Sequence, residues 1–378
     1  MGQLQSNETI CILPWVHHYI SQNHDVRPCC TGWKLRLGNI TKNPLSYVDK
    51  DIPMQTLRQQ MRNGIQPEAC LECFQREEDG NRSPRQEFNQ LYQEELTKVL
   101  HNKPVKKKYL EVNFSNLCNA RCKSCSPLNS TQWYETARKL EGWGYYNDQG
   151  KLPHKVDWDK IDIDWQELDL IKILGGEPFM HPDNEKIIQR IFDKGQPEKC
   201  SLEVFTNASI FPDNNIIEAL KRFKHVEINL SIDGLRETYE YIRTGLNFNK
   251  VLEVIAKWNE VDIPNKRLGF QMLVQVDNIL QVTEYDKFFK EFVNYNGNTE
   301  KSYMHYSILT NPIWLRPRNA SDNNKVKAIK YLDTYMETAE GLHKRDYAKF
   351  KTIIKELQQP AEDRYKLEQF NKTFNGTP

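Results

Sequence analysis

The distribution of cysteine is the strongest constraint in this chain of 378 residues. Of nine cysteines, Cys11, Cys29, Cys30, Cys70, Cys73, Cys118, Cys122 and Cys125 precede residue 126, and only Cys200 lies beyond. A chain of this length can bury a core without disulfide staples. In a reducing compartment such clustering points to metal ligation, and the two-residue gap between Cys70 and Cys73 is a common metal-clip spacing. The triple Cys118-x3-Cys122-x2-Cys125 is more specific, since chance would produce it roughly 0.005 times in a chain of this cysteine content. Three thiolates on one short loop can hold three irons of a four-iron, four-sulfur cube and leave the fourth iron open. A structural zinc would want a fourth ligand close by.

Charge and hydropathy narrow the function classes. Lys and Arg number 52 against 51 Asp and Glu, so the formal charge of +1 gives no global attraction to nucleic acid or to an anionic membrane. Hydrophobic residues at 38% with 11% aromatics argue against wholesale disorder. No window approaches the 18 apolar residues of a membrane span, and the first residues, MGQLQSNETICILPW, lack the basic and apolar regions of a signal peptide. A folded protein residing in the cytoplasm is expected.

The chain changes rhythm near residue 103. Before it, the cysteine groups are followed by a charged, partly helical stretch, without strand-helix alternation. The run KPVKKKY at 103–109 reads as a solvated linker that marks a boundary. After it, six β-rich runs, YLEVNFS, ELDLIKIL, SLEVFTN, HVEINLSID, LGFQMLVQV and YMHYSIL, alternate with segments of helical spacing such as NEKIIQRIFDKG. Repeated βα units imply a parallel sheet, here a partial, TIM-like (β/α)6 barrel with its chemistry at the C-terminal strand ends. Three segments follow: a Cys-rich domain over 1–102, the barrel over 103–311, and a C-terminal helical cap over 312–378 with Pro360 as a helix stop. Residues 127–164 are an insertion whose Trp133, Trp143, Trp158, Tyr145 and Tyr146 either pack on the barrel or form a lid over substrate.

The triad sits just after the first barrel strand, in LEVNFSNLCNARCKSCSP, and here the sequence resembles the radical S-adenosylmethionine (radical SAM) superfamily, whose signature is CxxxCxxC on that loop. Three more segments match in order. Gly175-Gly176-Glu177-Pro178 ends the second barrel strand, and in the family this turn lets backbone approach the methionine amino group of S-adenosylmethionine. Ser231-Ile232-Asp233-Gly234 ends the fourth, resembling a segment whose side chains reach the cofactor's ribose and carboxylate. Arg243 matches an arginine that pairs with the cofactor carboxylate, and Asn207, in FTNAS, matches a position facing cofactor or substrate. Ser124 departs from the pattern, which has an aromatic beside the adenine. The resemblance implies a cluster on Cys118, Cys122 and Cys125, and reductive cleavage of S-adenosylmethionine to a 5′-deoxyadenosyl radical that takes a hydrogen atom from substrate.

The N-terminal pieces CILPW, RPCC and CLEC are similar to the SPASM and twitch modules of peptide-modifying radical enzymes. By that match Cys11, Cys29, Cys70 and Cys73 hold an auxiliary four-iron cluster, with Cys30 a neighbour or substitute ligand; a structural zinc is the alternative. In two respects the match departs: the module precedes the barrel, and His24 occupies a hairpin position that is usually Gly. His17, His18 and Cys200 read as packing residues. The expected function is radical modification of a peptide or protein substrate, with electrons from an external flavodoxin- or ferredoxin-like donor. The same chemistry on a small metabolite is the second reading, and a non-catalytic iron-sulfur or zinc scaffold the third.

Overall fold

The computed structural model describes residues 8–376 apart from 33, 79, 81, 141, 144–154, 294–300, 340, 341 and 343, so Tyr145 and Tyr146 lie outside the described residues. Its strands are β1 (His17–Ile20), β2 (Asp25–Arg27), β3 (Gly38–Asn39), β4 (Tyr109–Asn113), β5 (Arg121–Cys122), β6 (Leu170–Leu174), β7 (Ser201–Thr206), β8 (His225–Ser231), β9 (Arg243–Thr244), β10 (Lys266–Val274) and β11 (Ser302–Ile308). The six β-rich runs of the sequence become β4, β6, β7, β8, β10 and β11. They pair in parallel and in chain order, which is the six-unit βα architecture expected. The sheet is open, with β11 at one edge.

One face of this sheet is apolar and covered by helices. Along β7, Leu202, Val204 and Thr206 are buried while Ser201, Glu203 and Phe205 are half-buried. The same alternation on β10 turns Phe270 toward Phe289 of the helix Val282–Phe292, with ring centroids 4.8 Å apart. The opposite face is polar: Glu111, Lys172, Glu203, Glu227 and Arg267 lie in register across five neighbouring strands. Apolar filling of the kind found inside a closed barrel does not occur along that row.

The N-terminal segment differs from expectation. It contributes three strands, and β1 pairs in parallel with β4, so the sheet runs on as β4-β1-β2-β3. β1 is four residues long and buried on both faces, which leaves no alternation to read in HHYI. The basic run is solvated only in part, at Lys103 and Lys106. Lys107 reaches back to the Asp49 carboxylate at 2.8 Å and to the carbonyls of Pro14 and His17. The segments on either side of residue 103 share one continuous sheet. In the β1–β2 turn His24 has φ 59°, the left-handed conformation that glycine adopts freely, so the backbone there keeps a glycine-like geometry despite the side chain. The C-terminal cap consists of the helices Asp322–Thr338, Lys344–Leu357 and Arg364–Asn375, the second ending before Pro360.

Candidate active site

Cys118, Cys122 and Cys125 lie on the loop that leaves the C-terminal end of β4, and the rest of the sheet's C-terminal edge holds that loop in place. Cys118 is buried, and Cys122 and Cys125 are half-buried. The backbone of Cys122 pairs with Arg243 through the short β5–β9 ladder. Its carbonyl also accepts from the Trp133 indole at 2.8 Å, and Ser130 Oγ donates to the Ala120 carbonyl at 2.6 Å. Trp133 and Trp158 of the insertion thus pack inward, the latter edge-on to Phe114, as a side layer would.

The Gly175-Gly176 turn presses on the same loop. Gly176 N–H donates to the Ser115 carbonyl at 2.9 Å and Glu177 N–H to the Leu117 carbonyl at 2.8 Å. A Cβ on Gly176 would stand 2.2 Å from the Leu117 carbonyl oxygen, and Gly175 has φ +127°. The close approach these glycines make here is to the cysteine loop's own backbone. The Glu177 carboxylate turns inward, where Oε1 accepts from Thr206 Oγ1 at 2.7 Å and Oε2 from Asn207 N–H at 2.8 Å. Burial pushes its pKa up to about 7, against the pull of those donors. Pro178 is buried at the start of the following 3-10 turn.

Two donors face the thiols. Asn207 Nδ2 lies 3.8 Å from Cys118 Sγ, and an Arg243 terminal nitrogen lies 3.6 Å from Cys122 Sγ. The other arm of Arg243 pairs with Asp233 at 2.8 Å, while Asp233 Oδ1 accepts from Leu273 N–H at 2.9 Å. Asp233 is buried, so its carboxylate orients Arg243 and anchors β8 to β10. Arg243 Nε is buried without a hydrogen-bond partner among the described residues, an open donor beside the thiols. Ser231 ends β8, half-buried.

The N-terminal thiols divide into a set and an outlier. Cys11, Cys29, Cys70 and Cys73 are mutually close enough that each charge would raise the pKa of Cys11, which burial has already raised. Cys70 is pushed up to about 12 by burial and then by Cys29 and Cys73. Cys29 Sγ accepts from Gly32 N–H at 3.3 Å and contacts Thr31 Oγ1 at 3.1 Å. Cys30 points elsewhere: the residue as a whole is exposed, but its thiol is turned inward, where burial and then the Glu111 carboxylate raise it. His17 and His18 are buried on β1, His17 stacked on Tyr109, and Cys200 is a core thiol.

A cleft of about 640 Å³ joins the two cysteine regions. Ser124, Cys125 and Ser126 form one wall, Tyr19, Arg27 and Cys30 another, and Trp143 and Trp314 a third. It lies between the N-terminal hairpin and the segment after β11, bridged at its floor by Gln22, which contacts both Asn113 and Asn129. Of the insertion's aromatic residues among those described, Trp143 reaches it, beside Leu128 and Asn129 of the same segment. Sequence reasoning missed Tyr19, Arg27 and Asn129, because they meet only when β1 docks on β4.

The chemistry of these donor sets fits iron-sulfur ligation. Buried thiols that raise one another's pKa do not ionise unaided, and a bound cation deprotonates them outright. The N–H donors on Cys118, Cys122 and Cys29 are the kind that stabilise cluster sulfurs. Among the described residues no three His, Cys, Asp or Glu side chains converge enough to hold a single metal ion. A cube takes each ligand on a separate corner and needs less convergence.

Comparison with known families decides the assignment. Residues 112–289 match the model of the radical SAM superfamily, and residues 11–74 match that of SPASM, an iron-sulfur cluster-binding domain. The chain carries a radical SAM domain with a SPASM domain N-terminal to it. The radical SAM protein accordingly takes a four-iron cluster, S-adenosylmethionine and an auxiliary iron-sulfur cluster, with its SPASM domain N-terminal to the barrel. Curated relatives include GTP 3′,8-cyclases of Aliarcobacter butzleri, 27% identical over 50% of this chain and 56% of that protein, and of Sulfurovum, 30% identical over 50% and 55%. The chain thus spans little more than half the length of these relatives. Similar solved structures include native anSMEcpe with bound AdoMet, at TM-score 0.37 and 16% identity over 61% of each chain. Streptococcus suis SuiB matches at TM-score 0.38 and 17% identity, over 75% of this chain and 62% of that one. No described helix is long and apolar enough to cross a membrane.

Proposed function

We propose that this radical SAM enzyme modifies a peptide or protein substrate bound in the cleft between the Cys125 loop and the N-terminal hairpin. The observation that carries this reading is the cleft itself, which has a residue of each cysteine region in its walls. In this reading Cys118, Cys122 and Cys125 hold the S-adenosylmethionine-binding cluster, and Cys11, Cys29, Cys70 and Cys73 the auxiliary one. When bound, the cluster and S-adenosylmethionine supply a 5′-deoxyadenosyl radical that removes a substrate hydrogen atom.

The chain's own residues bind and orient. Arg243, held by Asp233, pairs with the cofactor carboxylate through its unsatisfied donor, as a guanidinium fork suits. The backbone of Gly175, Gly176 and Glu177, with Pro178 fixing the turn, receives the amino group. The Glu177 side chain acts one step back, by positioning Asn207. Ser231 lies where the ribose would be met. Ser124, smaller than the aromatic usual beside an adenine, leaves its share of the cleft open.

The second reading, a small metabolite, is favoured by the curated relatives' name, GTP 3′,8-cyclase. A nucleoside triphosphate wants several cations, and Arg27 is the only Lys or Arg among the described residues lining the cleft. Neutral polar and aromatic walls suit a peptide better. Electrons come from an external flavodoxin- or ferredoxin-like donor, and nine free cysteines suit a reducing cytoplasm. Anaerobic incubation with isotope-labelled candidate peptides or with GTP, followed by mass spectrometry, tests the choice. Peptide-dependent 5′-deoxyadenosine with an altered peptide mass is expected, and turnover with GTP alone would overturn it.

A further inference from the structure

Lys123 lies between Cys122 and Cys125, a position where an exposed loop would leave a lysine in water. Instead its side chain is fully buried. Its ammonium donates to Asn371 Oδ1 at 2.8 Å and to Tyr241 Oη at 3.1 Å, and pairs with Asp277 at 2.9 Å. It also stands 4.1 Å above the Tyr241 ring. Asn371 belongs to the last helix, Arg364–Asn375, 248 residues further along the chain. That helix buries Phe370 and Phe374 against Trp133, whose indole caps the Cys122 carbonyl, and Arg121 lies 4.6 Å over the Phe374 ring. These side chains form a small apolar core of their own, with Cys125 packed against it.

We infer that the C-terminal helix, acting through Asn371 and Lys123, is a clamp that fixes the Cys122–Cys125 segment and shields the cluster it holds from water and oxygen. The physical reason is cost: a buried ammonium must keep its partners, so the loop cannot swing outward without stripping Lys123 of Asn371, Asp277 and Tyr241 together. Lys123 and Asn371 are positioning residues. The inference rests on the reading that Cys118, Cys122 and Cys125 hold a cluster.

Three chains test it after anaerobic reconstitution: wild type, Asn371→Leu, and a chain ending at Asp363. Bleaching of the cluster absorbance is followed after exposure to air, and the electron paramagnetic resonance spectrum is recorded after reduction. A Cys118→Ala/Cys122→Ala/Cys125→Ala chain supplies the behaviour of the auxiliary cluster alone. Loss of one hydrogen bond to a charged group should raise the population of the opened loop by roughly 10- to 100-fold, and the bleaching rate with it. In Asn371→Leu the radical-site signal should also broaden, while the auxiliary signal stays near wild type and the thermal midpoint falls by no more than several degrees. Lys123→Met should behave as Asn371→Leu or worse. Bleaching at the wild-type rate in both Asn371→Leu and the shortened chain would overturn the clamp. Undiminished iron in the triple-alanine chain would instead overturn the cluster assignment on which it rests.

Discussion

Replacing Gly176 by alanine is the sharpest test of how the turn and the cysteine loop depend on each other. The added Cβ would stand 2.2 Å from the Leu117 carbonyl oxygen, 2.6 Å from the Leu117 carbonyl carbon and 2.8 Å from the Asn116 carbonyl carbon. All three are backbone atoms, so no side chain can rotate away. Restoring ordinary contact near 3.5 Å means moving one backbone against the other by about 1 Å. Overpacking of this kind costs about 1–3 kcal/mol, enough to lower the melting temperature by several degrees. The displacement falls on the residue before Cys118 and would break the bond from Glu177 N–H to the Leu117 carbonyl. A ligand moved by that much weakens its site. Gly176→Ala should therefore retain the auxiliary cluster and lose the other, dropping from roughly 8 irons per chain to about 4. Gly64→Ala is the control. Its φ of +75° strains an alanine, but nothing lies within 4 Å, so it should cost about 1–2 kcal/mol and no iron. Iron analysis and a thermal melt on both variants suffice. Full iron with a normal radical-site spectrum in Gly176→Ala would refute the argument that the glycine exists to admit the loop.

Further expectations follow from individual contacts. Arg243→Ala should weaken S-adenosylmethionine binding by roughly 10- to 150-fold in anaerobic calorimetry while leaving iron unchanged, since a charge-assisted bond is lost but no thiol. Cys29→Ala should lose about half the iron and Cys30→Ala none, because only Cys29 shares the environment of Cys11, Cys70 and Cys73; equal losses would mean the two exchange roles. His18 gives a pH dependence: burial, opposed by Asp49, pushes it down to about 4 from an ordinary 6.5. The unfolded chain therefore binds the proton first, and stability should fall as pH drops from about 6.5 to 4, by up to about 3 kcal/mol. Denaturant titrations of His18→Gln should show a flatter slope in that window, and an unchanged slope would place the effect elsewhere.

Much of the radical SAM core was readable because its signals are local. Cys118, Cys122 and Cys125 sit within eight residues, GGEP and SIDG punctuate strand ends, and alternating apolar runs announce βα units without knowledge of their partners. The strand order β4-β6-β7-β8-β10-β11 follows from each βα unit placing its strand beside the one before it. Other features depend on which distant segments meet. β1 carries too few residues to show a period, and its place beside β4 is set by burial of both faces, so the N-terminal module joined the sheet where a boundary was expected. The division of Cys29 from Cys30 is a matter of direction: the two neighbours lie in the bend after β2, and only the packed hairpin says which of them faces the other thiols. Likewise the glycines, Asp233 and Lys123 acquired their partners from the fold. Leu117, Arg243 and Asn371 lie 59, 10 and 248 residues away in sequence. Spacing within the chain determines which residues can share a loop, whereas the cost of burying a charge or a carbonyl without a partner is settled only when the whole sheet has closed around it.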